Sequence, residues 1–151
     1  MGEVHILTIS GQYDQVKRVC QFVAGGARQA GFNEDAVFHV ELACDEACTN
    51  IIEHAYDAAE EGQIIVSWEI DGDDFKVTIR DSGRNFNPDE VPPPSLVQSS
   101  LENDNMDTLR VGGLGMHFMR SLMDEVRYCF DQQHGNMLVM VKKLSKGRAP
   151  Q

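Results

Sequence analysis

The chain has no apolar run approaching the length needed to cross a bilayer. Its first residues, MGEVHILTIS, lack both the basic start and the apolar stretch of a secretory leader. Together these absences predict a cytoplasmic protein. Basic side chains are scarce: 13 Lys and Arg stand against 24 Asp and Glu, a formal net charge of -11. Such a surface repels nucleic acid, whose binding depends on cations neutralising phosphates, and it disfavours anionic membranes. The 4 cysteines, Cys20, Cys44, Cys48 and Cys129, include no C-x-x-C pair and fall inside apolar periodic segments. That predicts reduced core thiols, not a disulfide framework or a zinc site. His5, His39, His117 and His134 form no cluster, and no internal repeat is present. What is left is 151 residues, 42% hydrophobic and 25% charged, enough chain for one domain to bury a core unaided. We expect that domain over 1–145, with 146–151 a loose tail.

Taken in order, Val4 to Ile9 alternate as an edge strand that stops at Ser10-Gly11. Tyr13, Val16, Val19, Cys20, Val23 and Ala27 then recur at helical spacing, which predicts a helix ending near Gly31 with Gly25-Gly26 as its weak point. Asn33 followed by Glu34 and Asp35 reads as an N-cap with first-turn acids, opening a second helix that runs to about Asp57. Gln63 to Ile70 is a near-continuous apolar strand, which predicts burial on both faces. Asp71 to Asp74 is a turn into a second hairpin arm that ends on Asp81. Residues 88–111 are long, polar and without periodicity, the signature of a lid or binding loop. Leu114 to Met123 returns to helix, and Glu125 to Phe130 and Met137 to Lys143 are closing strands. Early helices and late antiparallel strands predict an α+β, two-layer sandwich with helices on one face of a mixed, mainly antiparallel sheet.

Three stretches carry chemistry. On the second helix Glu46, Asn50 and His54 stand four residues apart, so a carboxylate, an amide and an imidazole share one face. Val40, Ala43, Cys44, Ala47, Cys48 and Ile51 make the other face core. Asp81-Ser82-Gly83-Arg84-Asn85-Phe86 leaves a strand with an acid and a glycine, a pairing that can hold a flat heterocycle and accept a hydrogen bond from it. Gly112-Gly113-Leu114-Gly115-Met116 opens a helix, where free backbone amides favour phosphate.

E-x-x-x-N on a helix, D-x-G-x-x-F after a strand, a lid, and G-G-L-G at the next helix together resemble the GHKL ATPase superfamily. Within it the chain is most similar to the bacterial anti-sigma factor serine-protein kinases, through Asp45 to Tyr56, Asp81 to Pro88, and Gly112 to Val126. The order of elements fits over nearly the whole chain. The resemblance implies ATP and Mg²⁺ as cofactors. It implies that Asn50 supplies an amide oxygen to the metal, and that Glu46 orients and deprotonates the attacking hydroxyl of a protein serine or threonine. Asp81 would accept from the adenine amino group, with Gly83 and Phe86 beside the base. Gly112, Gly113, Leu114, Gly115 and Met116 would offer amides to the phosphates, and Arg110 would reach the terminal phosphate as the ATP lid closes. His54 is left out of the site as a helix-face histidine. One departure stands out: Gly135-Asn136-Met137 occupies the place where many superfamily members carry a glycine-threonine pair, which puts that contact in doubt.

The function implied is a serine/threonine-protein kinase acting as an anti-sigma factor. It would phosphorylate a STAS-type antagonist, hold a sigma factor or similar regulator, and form a homodimer. The alternatives are a non-catalytic ATP-binding module that sequesters a protein partner, and a histidine-kinase-like ATPase domain. Glu46 favours the first, because a binding-only domain needs no base there.

Overall fold

The computed structural model describes residues 3–54, 62–82, 119–131 and 135–144. β1 (His5–Ser10) leads through a short 3-10 turn (Tyr13–Gln15) into α1 (Val16–Ala30), then α2 (Glu34–His54). β2 (Gln63–Asp71), β3 (Asp74–Asp81), β4 (Glu125–Asp131) and β5 (Gly135–Lys143) complete the sheet. The strand order is β1-β2-β3-β5-β4, and every pairing is antiparallel. α1 and α2 cover one face, so the expected two-layer α+β arrangement is the observed one, with β1 at an edge as its pattern predicts.

Local chemistry explains where the helices begin and end. Asn33 caps α2: its side-chain Oδ1 accepts from the Ala36 amide at 2.9 Å, satisfying one of the free amides of the first turn. Glu34 and Asp35 follow in that turn, favoured by the positive end of the helix dipole. α1 closes at Gly31, and the Phe32 amide reaches back to the Ala27 carbonyl at 3.2 Å. The Gly25-Gly26 pair does not weaken α1 into a break. Gly26 is where the helix crosses Trp68 of β2 most closely, since a Cβ there would lie 2.4 Å from the indole.

The core lies between the helices and the sheet. Val19, Val23 and Ala27 of α1 and Val37, Val40, Cys44 and Cys48 of α2 meet Ile64, Val66 and Trp68 of β2, Phe75, Val77 and Ile79 of β3, and Met140 of β5. One expectation for β2 is overturned. Its burial alternates, and Ile65 is 38% exposed, because the helices lie on one face only and the odd-numbered side chains of β2 point away from them. Residues 119–122 are helical and are tied to the sheet by several bonds. The Asp124 amide donates to the Val141 carbonyl at 2.8 Å, and Lys142 Nζ donates to the Leu122 carbonyl at 2.7 Å. Met119, at the start of this segment, is fully buried and lines one pocket with Leu138 of β5.

Candidate functional site

α2 does two jobs because its two faces differ. Its apolar side is core, with Ala43, Cys44 and Cys48 fully or almost fully enclosed. On the other side, Glu46 and Asn50 are each only 7% exposed. Burying a carboxylate and an amide is costly unless polar partners or a ligand answer them. Two such groups one helical turn apart mark a built feature and not a wet face.

Asn50 opens into a pocket that also receives Asp81 from the end of β3. Ala47, Ile51, Ile79, Met119 and Leu138 supply its apolar walls; Asn50, Asp81, Tyr128 and Asn136 supply its polar groups. Apolar walls with a few placed polar atoms suit a flat heterocycle. Asp81 is 3% exposed and stands opposite Asn136 in the β3–β5 register. Asn136, also 3% exposed, donates from Nδ2 to Asp81 Oδ1 at 2.9 Å. The Tyr128 hydroxyl of β4 in turn donates to Asn136 Oδ1.

Gly135 makes that approach possible. Its φ is 85°, and a Cβ there would lie 2.2 Å from the Asp81 carbonyl oxygen and 3.0 Å from Ser82 Cα. Only glycine lets β5 begin so close to the strand end that carries the acid.

Three thiols of α1 and α2 and the Tyr13 hydroxyl are held in their neutral forms. Burial, followed by neighbouring Asp45 and Glu41, pushes the Cys20 thiol up to about 11. Burial raises Cys44 and Cys48 as well, so the expectation of inert core thiols holds for these two and fails for Cys129 of β4, which is exposed. Tyr13 is raised by burial and then by Glu53 of α2, whose carboxylate its hydroxyl hydrogen-bonds. Among the described residues no group of three or more His, Cys, Asp and Glu could hold a metal ion.

Of the residues singled out from sequence, Asn50 and Asp81 are brought together in one pocket. Glu46 is buried one turn along the same helix face and does not line that pocket. Gly83, Phe86, Arg110, Gly112, Gly113, Leu114, Gly115 and Met116 lie outside the described residues, as does the lid. Sequence reasoning left the Gly135-Asn136 contact in doubt and passed over Tyr128. The available signal was the period-2 pattern of β5, which puts Asn136 on the same side as Leu138 and Met140, facing the helices.

Comparison with known proteins agrees with this geometry. The chain matches the profile of the Histidine kinase-like ATPase domain over residues 9–142. It is 34% identical over 141 residues to the serine-protein kinase RsbW of Staphylococcus epidermidis, covering 93% of this chain and 85% of that protein. The Listeria innocua serine-protein kinase RsbW is 30% identical over 128 residues, 82% of this chain and 76% of its own length. That of Bacillus subtilis strain 168 is 28% identical over 141 residues, with 93% and 85% covered. The match spans both the α2 face and the Asp81 pocket, and the chain therefore belongs to the histidine kinase-like ATPase domain family of the GHKL superfamily.

Proposed function

We propose that this chain is an ATP-dependent serine/threonine-protein kinase that acts as an anti-sigma factor and phosphorylates a STAS-type antagonist protein. The observation that carries the reading is that one pocket joins the Asn50 amide of α2 to the Asp81 carboxylate of β3, with buried Glu46 one turn further along α2. The relatives named as serine-protein kinases support it.

In this reading the apolar walls take the purine ring, and Asp81 accepts from its amino group. Asn50 turns its amide oxygen to Mg²⁺, a hard cation suited to such a donor, and the metal when bound neutralises charge on the phosphates. Glu46 stands about 6 Å along the helix axis from Asn50, which separates the group that takes the proton from the end that holds the base. Glu46 orients the incoming serine or threonine hydroxyl and takes its proton. Gly83 and Phe86 complete the base site. Arg110 and the run Gly112, Gly113, Leu114, Gly115 and Met116 serve the phosphates through backbone amides and one guanidinium. The antagonist and a sigma factor compete for the same protein, which acts as a homodimer.

The test is transfer of labelled γ-phosphate from Mg·ATP to a STAS-domain partner. The intact protein should label the partner, and Glu46→Gln should lose on the order of 10²- to 10⁴-fold in rate while ATP affinity changes little. Normal transfer by Glu46→Gln would refute the assignment of the base. Measurable ATP and partner binding without any label on the partner would leave a sequestering module in place of a kinase.

A further inference from the structure

We propose that Tyr128 and Asn136 are positioning residues that fix the Asp81 carboxylate for the amino group of the bound base. The inference rests on the nucleotide reading of the pocket.

A short carboxylate turns easily about its terminal torsion, which has broad wells. Left to itself, Asp81 would present its oxygens in a range of directions. Four features of the fold remove that freedom. The β3–β5 register sets Asn136 directly opposite Asp81, and Gly135 lets the two strands close to a distance that no side chain at 135 would tolerate. The Asn136 amide then donates to Asp81 Oδ1 at 2.9 Å, a hydrogen bond strengthened by the charge on its acceptor. An amide can face two ways; the carboxylate only accepts, so the NH₂ turns toward it, and the Tyr128 hydroxyl donates to the Asn136 Oδ1 on the other side and holds the amide there. All three groups line the pocket itself. A threonine at 136 could offer one hydroxyl to the acid. Asparagine uses both ends of its amide, one on Asp81 and the other on Tyr128 of the neighbouring strand. The relay spans three strands, and an acid already held by hydrogen bonds costs less to order on binding.

The readout must separate this role from plain structural support. We compare the affinity for ATP with that for the purine ribonucleoside triphosphate that lacks the 6-amino group, by calorimetry at saturating Mg²⁺. In the intact protein ATP should bind roughly tenfold or more tightly than the analogue, the range for a buried hydrogen bond to a charged group. Asn136→Ala should weaken ATP about tenfold and leave the analogue nearly unchanged, so the preference collapses. Asn136→Thr, which restores a donor, should recover part of it, and Tyr128→Phe should lower it by a smaller factor, about threefold.

An intact protein that binds both triphosphates equally would overturn the nucleotide reading at Asp81 and the relay with it. A clear preference in the intact protein that survives in Asn136→Ala would overturn the relay alone. So would an equal loss for both ligands, the mark of a merely structural role. If Asn136→Ala does not fold, Tyr128→Phe and Asn136→Thr decide the matter on folded protein.

Discussion

Single side chains in this protein are set apart by what their burial costs. Asn50, Asp81 and Asn136 sit at 7%, 3% and 3% exposure, at the meeting of α2, β3 and β5. The cysteines show the opposite use of the interior. Cys44 and Cys48 are fully buried thiols whose pKa is raised chiefly by loss of water, and Cys20 is pushed up to about 11 by burial, Asp45 and Glu41. The sign of the resulting pH dependence follows directly. In the unfolded chain a thiol loses its proton near pH 9.0, whereas the folded chain keeps it to higher pH. Between those values the native state binds more protons, so stability is full below about pH 9 and falls as pH rises. The urea midpoint should drop between about pH 9 and pH 10.5, at a slope of up to about 1.4 kcal/mol per pH unit for each fully buried thiol. Cys48→Ala should flatten that slope even though it lowers stability at neutral pH. An unchanged slope in Cys48→Ala would show that this thiol is not among the groups responsible.

Among the elements, α1 and α2 illustrate different uses of one sheet face. α2 spends one side on core and the other on the site. α1 is a packing helix whose decisive contact is Gly26 on Trp68. The indole is boxed in: His5 stacks on it with ring centroids 4.0 Å apart, and Phe75 lies at 5.7 Å. Gly→Ala inside a helix usually stabilises by roughly 0.5–1 kcal/mol. At Gly26 the new Cβ would fall 2.4 Å from the indole, so Gly26→Ala should instead destabilise by about 1–3 kcal/mol. Gly25, which has nothing within 4 Å of its added Cβ, is the matched control and should gain stability. Urea titrations followed by the fluorescence of the single tryptophan would read both. A stabilised Gly26→Ala would mean that α1 does not press on Trp68 in solution.

Across the whole molecule, periodicity and caps were enough to read the layers. Asn33 announced the start of α2, and alternation announced the edge strand β1. β2 misled because its run of apolar residues looks the same whether one face or both are covered; which faces are covered is decided by helices elsewhere in the chain. The close helix–strand crossing at Gly26 is likewise not visible along the sequence. In the site, the family resemblance carried by the motifs implied that Asn50 and Asp81 serve one nucleotide, and both line one pocket. The Asn136 and Tyr128 partnership was not legible, because it depends on a register between strands separated by more than fifty residues in one case and on a neighbouring strand in the other. At the same scale, no described helix is long and apolar enough to cross a membrane.

The most direct test of the account is calorimetric titration of Mg·ATP into the intact protein and into Asp81→Ala. The account predicts saturable one-site binding by the intact protein and a loss of roughly tenfold or more in Asp81→Ala, because the adenine amino group loses a charged acceptor in a buried pocket. Equal affinities in the two proteins, with the variant folded, would contradict the claim that this pocket holds the base.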